Sequence, residues 1–482
     1  MVFSSLLFVF VFLVICYLIY AIMPGIRSRN AVLLVSSLIF YAWGGPRLVL
    51  LLMGMTLVCY IGARMIGRAE RHRRLWLALT LVISLGLLAV FKYTGFLLEN
   101  IRSLVGFPEV IPQITLPIGI SFYTFQLISY VVDVYRREVP AQKNYALLLL
   151  YAALFHQCIA GPIIRYSDVH EEILNRRCTL SDVSRGVTRF SVGLAKKALL
   201  ANGCAAMVAD LIPTESTALA GTSGAAILLA AVCYMLEIYL DFSAYSDMAI
   251  GMGLMVGFHY RENFNYPYVA DSVTDFWRRW HISLSSFFRD YVYIPLGGNR
   301  VRPLRHIFNM LVVWFLTGLW HGASWNFVLW GLYYFVLLVF EKYVLRLKKQ
   351  PHGVLRALRT ACTLVAVCFG WMIFYYTDLS MLFTACRGIF TLNGNAFLDM
   401  TARTVFLNNI FLLAVSVLAC TPLCPAIGKF FARRREEKSG TVSCAAVGVY
   451  DALTAIVPVG LVGLSLLALV GNSYNPFLYF RF

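Results

Sequence analysis

Of the 482 residues in this chain 60% are hydrophobic and only 13% are charged, and the mean hydropathy is +0.73. Such a composition excludes a soluble globular domain and a disordered chain, and predicts an all-α, polytopic integral membrane protein whose main solvent is the lipid bilayer. The formal net charge of +17 would suit nucleic acid, but the basic residues lie in short loops between apolar runs, as the positive-inside rule produces, so no nucleic-acid partner is expected.

Met1 to Ile22 is almost wholly apolar, with no lysine or arginine before it and no small-residue cleavage site. It reads as a retained span and not a removed signal. Further runs long enough to cross about 30 Å of hydrocarbon follow at 47–63, 75–91, 115–134, 222–241, 307–323, 325–345, 360–377, 405–424 and 447–471. Shorter candidates at 31–43 and 245–258 bring the expectation to about 11–12 transmembrane helices. Arg64, Arg68, Arg71, Arg73 and Arg74 mark a cytoplasmic loop, which places both termini outside the cytoplasm. Arg27, Arg29, Arg136, Arg137, Lys143, Lys342 to Lys349, Lys429 and Arg433 to Arg435 then all fall inside. The apolar stretch 146–161 has basic residues at both ends, so it is expected to be re-entrant, closed by Gly161-Pro162. No repeat, low-complexity tract or polar linker divides the chain, and 1–482 reads as a single domain. The cysteines lie mostly within apolar segments, and Cys420 and Cys424 have no further ligand pair beside them, so neither a disulfide framework nor a metal site is predicted.

Chemistry is expected where ionisable groups interrupt apolar sequence. His321 lies inside the run Ile307 to Ala323, and an ionisable side chain within a membrane helix marks a site lined by protein or water. Gly318 and Gly322 flank it in a G-x-x-x-G spacing that lets a neighbouring backbone approach. Forty residues earlier, DSVTDFWRRWHISLSSFFRDY (Asp271 to Tyr291) opens with Ser272 and Asp275 at helix-capping spacing. Apolar residues then recur every three to four positions, which predicts one amphipathic helix with Arg278, Ser285 and Arg289 on its polar face and His281 at the border. Its arginines would either rest on anionic lipid or face the phosphates of a donor. Glu237 and Asp241, four apart near the expected end of the 222–241 helix, suit acid/base work, cation coupling or merely a polar helix end. His156 reads as a satisfied polar residue or as a base.

Six runs together resemble the membrane-bound O-acyltransferase (MBOAT) family, in its bacterial alginate O-acetyltransferase branch. They are LPIGISFYTFQLISYVVDVYR (Leu116 to Arg136), IAGPIIRY (Ile159 to Tyr166), IYLDFSAYSDMAIG (Ile238 to Gly251), ENFNYPY (Glu262 to Tyr268), FWRRWHISLSSFFRDYVYIPLGGNR (Phe276 to Arg300) and GLWHGASWNFVLWG (Gly318 to Gly331). They define a family-like core of about 116–331. His156 and Phe287 stand where that branch often has proline and tryptophan. The resemblance implies a helical bundle with cytoplasmic and extracellular funnels, in which His321 is the essential histidine and His281 the second polar position.

The function expected from these readings is transfer of an acetyl group from a cytoplasmic acyl-thioester donor, acetyl-CoA, to a hydroxyl of an extracellular polysaccharide or of a secreted or periplasmic acyltransferase partner, across a bacterial plasma (inner) membrane. No cofactor would be bound. His321 is the expected general base, Arg278, Arg279 and Arg289 are expected to favour the anionic donor, and Asp241 and Asn326 complete the candidate substrate-binding set, Asn326 or Trp325 serving as oxyanion donor. D-alanyl or other acyl transfer to a cell-wall polymer is the nearest alternative. A proton-coupled transporter using Glu237, Asp241 and His321 without covalent chemistry is the alternative from another class; the inverted repeats of many transporter folds are not visible.

Overall fold

A computed structural model describes residues 2–69, 71–107, 110–112, 114–157, 161–347, 351–436, 441–471 and 477–478, and among them all regular structure is helical. Seven helices are long and apolar enough to cross a membrane: Pro46–Arg68, Arg73–Val105, Leu180–Leu211, Gly224–Met255, Trp325–Leu345, Gly353–Tyr375 and Ala446–Gly471. Met400–Asn408 and Ile410–Ala419, bent by 63°, make an eighth if they count as one span. The shorter or more polar helices Leu7–Ile22, Gly25–Ala42, Ile120–Arg136 and Pro303–His321 would bring the total to the upper end of the expected range. Lys348 and Lys349, used above to orient the chain, lie outside the described residues.

Two expectations are corrected in the middle of the chain. The runs 222–241 and 245–258 are not separate spans but parts of one helix, Gly224–Met255. Its 32 residues extend about 48 Å at 1.5 Å per residue, so Glu237, Asp241 and Asp247 sit in its interior and not at a polar end. A span that hydropathy had hidden, Leu180–Leu211, precedes it. Lys196 and Lys197 interrupt that segment's apolar pattern, yet both charges are matched on the neighbouring helix. Lys197 pairs with Asp241 at 2.8 Å, and Lys196 pairs with Asp247 at 2.7 Å. Arg189 also reaches Asp247 at 2.7 Å.

The two helices touch backbone to backbone. A Cβ on Gly193 would stand 2.8 Å from the carbonyl of Ala244, and one on Gly251 would stand 2.7 Å from the carbonyl of Gly186, which is why small residues occupy the crossing. One span lost and one gained leave the parity of crossings unchanged, so the orientation expected for every later loop is not altered by the exchange. Topology reporters placed after Arg177 and after Glu215 will therefore report opposite faces, and one at Arg261 the same face as Arg177. The same face at Arg177 and Glu215 would show that 180–211 does not cross.

The stretch expected to be re-entrant contains a helix of nine residues, Tyr145–Ala153, started by the Asn144 side chain. At about 14 Å it is too short to cross, and its inner residues Leu148 to Ala153 are buried in protein; residues 158–160 lie outside the description. The segment 271–291 differs from its expected form. It is not one amphipathic helix but two short ones, Val273–Arg279 and Ile282–Phe288, followed by a π-helical turn, Arg289–Tyr293. Ser272 caps the first helix by accepting the Asp275 N–H, at the spacing the sequence predicted. The buried Glu341 carboxylate accepts the Val273 and Thr274 N–H groups, an anion placed where the helix dipole favours it.

Candidate active site

His321 ends the helix Pro303–His321, 6% exposed and ringed by aromatic side chains. Its ring centroid lies 5.1 Å from that of Trp320, 4.9 Å from Trp330 and 5.3 Å from Phe374. The helix–turn–helix that presents it is tight: a Cβ on Gly318 would collide with the Phe327 carbonyl, and one on Gly331 with the Trp314 carbonyl. A Cβ on Gly322 would in turn meet the Phe327 ring, so Gly318 and Gly322 both serve the close approach expected of the G-x-x-x-G pattern. The end of the helix is fixed from outside by helix 73–105. Tyr93 donates to the Leu319 carbonyl at 2.7 Å, and the Lys92 ammonium donates to the Trp320 carbonyl and, at 3.3 Å, to Ser121. A cation at a helix C-terminus is also favoured by the dipole.

Two cavities flank this end of the bundle. One, with room of about 20 Å³, is bounded by Asp241, Phe242, Trp280, His321, Trp371 and Phe374, enough space for about one water. Phe477 and Leu478 close it: the Phe477 ring stacks on Tyr245 with centroids 3.7 Å apart, and the Leu478 N–H donates to Asp241 at 2.8 Å. The other, of about 210 Å³, is lined by Lys92, Glu99, Leu116 and Ala323, among others. Ala323 and His321 are two residues apart, so this larger space meets the same turn.

His281 stands at the corner between the two short helices, with φ of 43° and ψ of 56°. The corner is held by the run Asn263–Asn265: Ile282 N–H donates to the Asn263 carbonyl and Asn265 N–H to the Arg279 carbonyl, both at 2.9 Å. The Asn263 side-chain oxygen also accepts from Ser283 Oγ at 2.8 Å and from His281 Nδ1 at 3.1 Å. Since that oxygen only accepts, Nδ1 carries the proton and Nε2 keeps its lone pair. Nε2 is buried with no hydrogen-bond partner among the described residues. His281 and His321 both neighbour Trp320, whose ring centroid is 5.9 Å from that of His281.

The remaining candidates divide. Asp241 lines the His321 cavity, but its carboxylate is held by Lys197 and the Leu478 N–H. Asn326 is fully buried and does not line the cavity; its amide donates to the carbonyls of Ile373 and Phe374, tying two helices together. Arg279 is bound to Asp275 at 2.8 Å and Arg289 to Asp290 at 2.7 Å, while Arg278 is exposed. Burial alone would raise the Asp290 carboxyl, but its hydrogen bonds to Arg289 and Arg165 outweigh that and hold it below the usual carboxylate range. None of the three arginines borders either cavity. Asn263, Lys92, Phe477 and Leu478 were missed by sequence reasoning. ENFNYPY did flag Asn263 as part of a motif, but nothing in the order of residues says that Lys92 meets the Trp320 carbonyl from 228 positions away.

Residues 136–385 match the model of the MBOAT, membrane-bound O-acyltransferase family, and this match spans both histidines and Asn263. The chain belongs to the membrane-bound O-acyltransferase family. It stands in the alginate O-acetyltransferase-like branch. The probable alginate O-acetylase AlgI of Azotobacter vinelandii is 36% identical to it, with 100% of each chain covered. AlgI of Pseudomonas aeruginosa is 40% identical over 81% of this chain and 75% of its own. The peptidoglycan O-acetyltransferase of Helicobacter pylori is 32% identical over 85% and 84%. This member of the family is thus a multi-pass membrane O-acyltransferase.

Proposed function

We propose that this O-acyltransferase moves an acetyl group from a cytoplasmic thioester, acetyl-CoA, to a hydroxyl presented at the other face of the membrane, on a polysaccharide or on a secreted acyltransferase that relays the group. The observation that carries the reading is His321, buried on the wall of a cavity of about 20 Å³ and two residues before Ala323, which lines a polar one of about 210 Å³. The larger space, with Lys92 and Glu99 on its wall, suits a hydroxylated polar acceptor. His321 takes the hydroxyl proton as the oxygen attacks the thioester carbonyl. The tetrahedral intermediate then expels the thiolate, which receives that proton from the imidazolium, so that ester and free thiol are the products. His281, its Nδ1 proton fixed by Asn263, presents a lone pair on Nε2 beside Trp320 and is the second site residue. The names of the relatives, alginate O-acetylase and peptidoglycan O-acetyltransferase, support a glycan as the final acceptor.

The transporter reading, which needed Glu237, Asp241 and His321 as a relay, loses Asp241, whose carboxylate is paired with Lys197 of helix 180–211. In sealed proteoliposomes of known orientation, labelled acetyl-CoA will be consumed only from the face carrying Arg278 and Arg289, and label will appear on an acceptor supplied at the other face. Transfer that requires donor and acceptor on one face would overturn the cross-membrane route while leaving His321 as a base.

A further inference from the structure

The arginines that sequence reasoning assigned to donor binding are largely spoken for, and the structure concentrates uncompensated positive charge elsewhere. Helix Pro46–Arg68 ends, helix Arg73–Val105 begins and helix Ile120–Arg136 ends at one corner of the bundle. An open cavity of about 500 Å³ there is lined by Arg71, Arg73, Arg74, Tyr135, Arg136 and Arg137. Two of these arginines hold the corner together. Arg73 donates to the carbonyls of Ile66, Val134 and Tyr135, and Arg136 donates to the Asp290 carbonyl at 2.9 Å and approaches Glu138 at 3.9 Å. The side chains of Arg71, Arg74 and Arg137 are exposed and make no hydrogen bond or ion pair with any described residue; Glu70 lies outside the description.

Two further features add to the charge. Arg137 caps helix 120–136 with a φ of 66°, a left-handed backbone that a side chain of this size rarely adopts. Helix 73–105 has no side-chain cap at its start, so its first N–H groups also lend partial positive charge to the same corner. Guanidinium forks and free helix N–H groups share one preferred partner, a tetrahedral oxyanion. The volume exceeds what a phosphate alone needs and lies in the range of organic-ligand sites, leaving space for whatever the phosphate is attached to.

We propose that this cavity is a phosphate-binding site, filled by the phosphate of coenzyme A or by the headgroup phosphate of an anionic lipid. The coenzyme A source rests on the donor named under the proposed function; the lipid source does not. Through Arg136 the cavity abuts the Arg289–Tyr293 turn, which continues from the corner that carries His281. A ligand anchored here therefore shares a face with that corner.

The test uses the full-length protein in nanodiscs with Arg71→Gln, Arg74→Gln and Arg137→Gln combined, leaving Arg73 and Arg136 to hold the fold. Binding of unacylated coenzyme A, of its 3′-dephospho form and of phosphatidylglycerol against phosphatidylcholine is measured. Loss of two or three charge-assisted hydrogen bonds will weaken one phosphate ligand by about tenfold or more. Weaker coenzyme A binding with unchanged dephospho-coenzyme A binding assigns the site to the donor. Lost phosphatidylglycerol preference with unchanged coenzyme A binding assigns it to lipid. A triple variant that binds both as wild type does, or a wild-type protein that retains neither, overturns the site. None of these measurements needs turnover, so a wild-type protein with charge-dependent binding but no acetyl transfer would sink the proposed function and leave the site standing.

Discussion

Replacing His321 by alanine will lower acetyl transfer by about 10²–10⁴-fold, the contribution of a positioned general base, while the protein still inserts and elutes as a folded species. The side chain is buried among Trp320, Trp330 and Phe374, so its loss leaves a small apolar void and introduces no unpaired charge. Thioester consumption and product formation by purified protein in detergent measure the effect, with thermal unfolding recorded alongside. A variant with near wild-type transfer would remove His321 from the role of base, and one that fails to fold would call for His321→Gln, which fills the space without the basicity.

Lys197→Met will be the most destabilising single change in the helix pair 180–211 and 224–255. The Lys197 and Asp241 side chains are 4% and 2% exposed and 2.8 Å apart, so the variant strands a carboxylate in the bundle at a cost of about 3–5 kcal/mol. Adding Asp241→Asn will recover most of that loss, since the amide oxygen still accepts the Leu478 N–H and no charge remains to be compensated. Unfolding midpoints of the two single variants and the double variant give the coupling directly. A Lys197→Met protein that melts with wild type would show that the pair does not hold these helices together.

Local physics made much of this molecule legible in its sequence. Lipid-facing runs announced the spans because nothing else tolerates twenty apolar residues, and the capping of Val273–Arg279 followed from Ser272 three positions ahead of Asp275. The failures share a cause, which is that sequence shows a charge but not its partner. Lys196 and Lys197 hid a span because their carboxylates stand 51 and 44 positions away. Arg279 and Arg289 were assigned to a ligand although each already has an aspartate at hand. The break at His281 was missed because Trp280, Leu284 and Phe287 keep helical spacing on both sides of it; the apolar pattern records which face is buried, not whether the backbone turns. The two histidines stood out in the sequence because histidine in apolar sequence is rare, whereas Lys92 and Asn263, which anchor their surroundings, looked like ordinary polar residues.

The turned backbone at His281 changes how genetics at that codon is to be read. Alanine there removes an imidazole and also asks a residue with a Cβ, and without histidine's enriched tolerance, to hold a left-handed conformation. A null phenotype from alanine therefore mixes two defects. Asparagine and glycine occupy such a conformation readily, so a screen that compares them with alanine separates a missing ring from a misshapen corner, and a β-branched substitution, which also lacks the ring, strains the corner most.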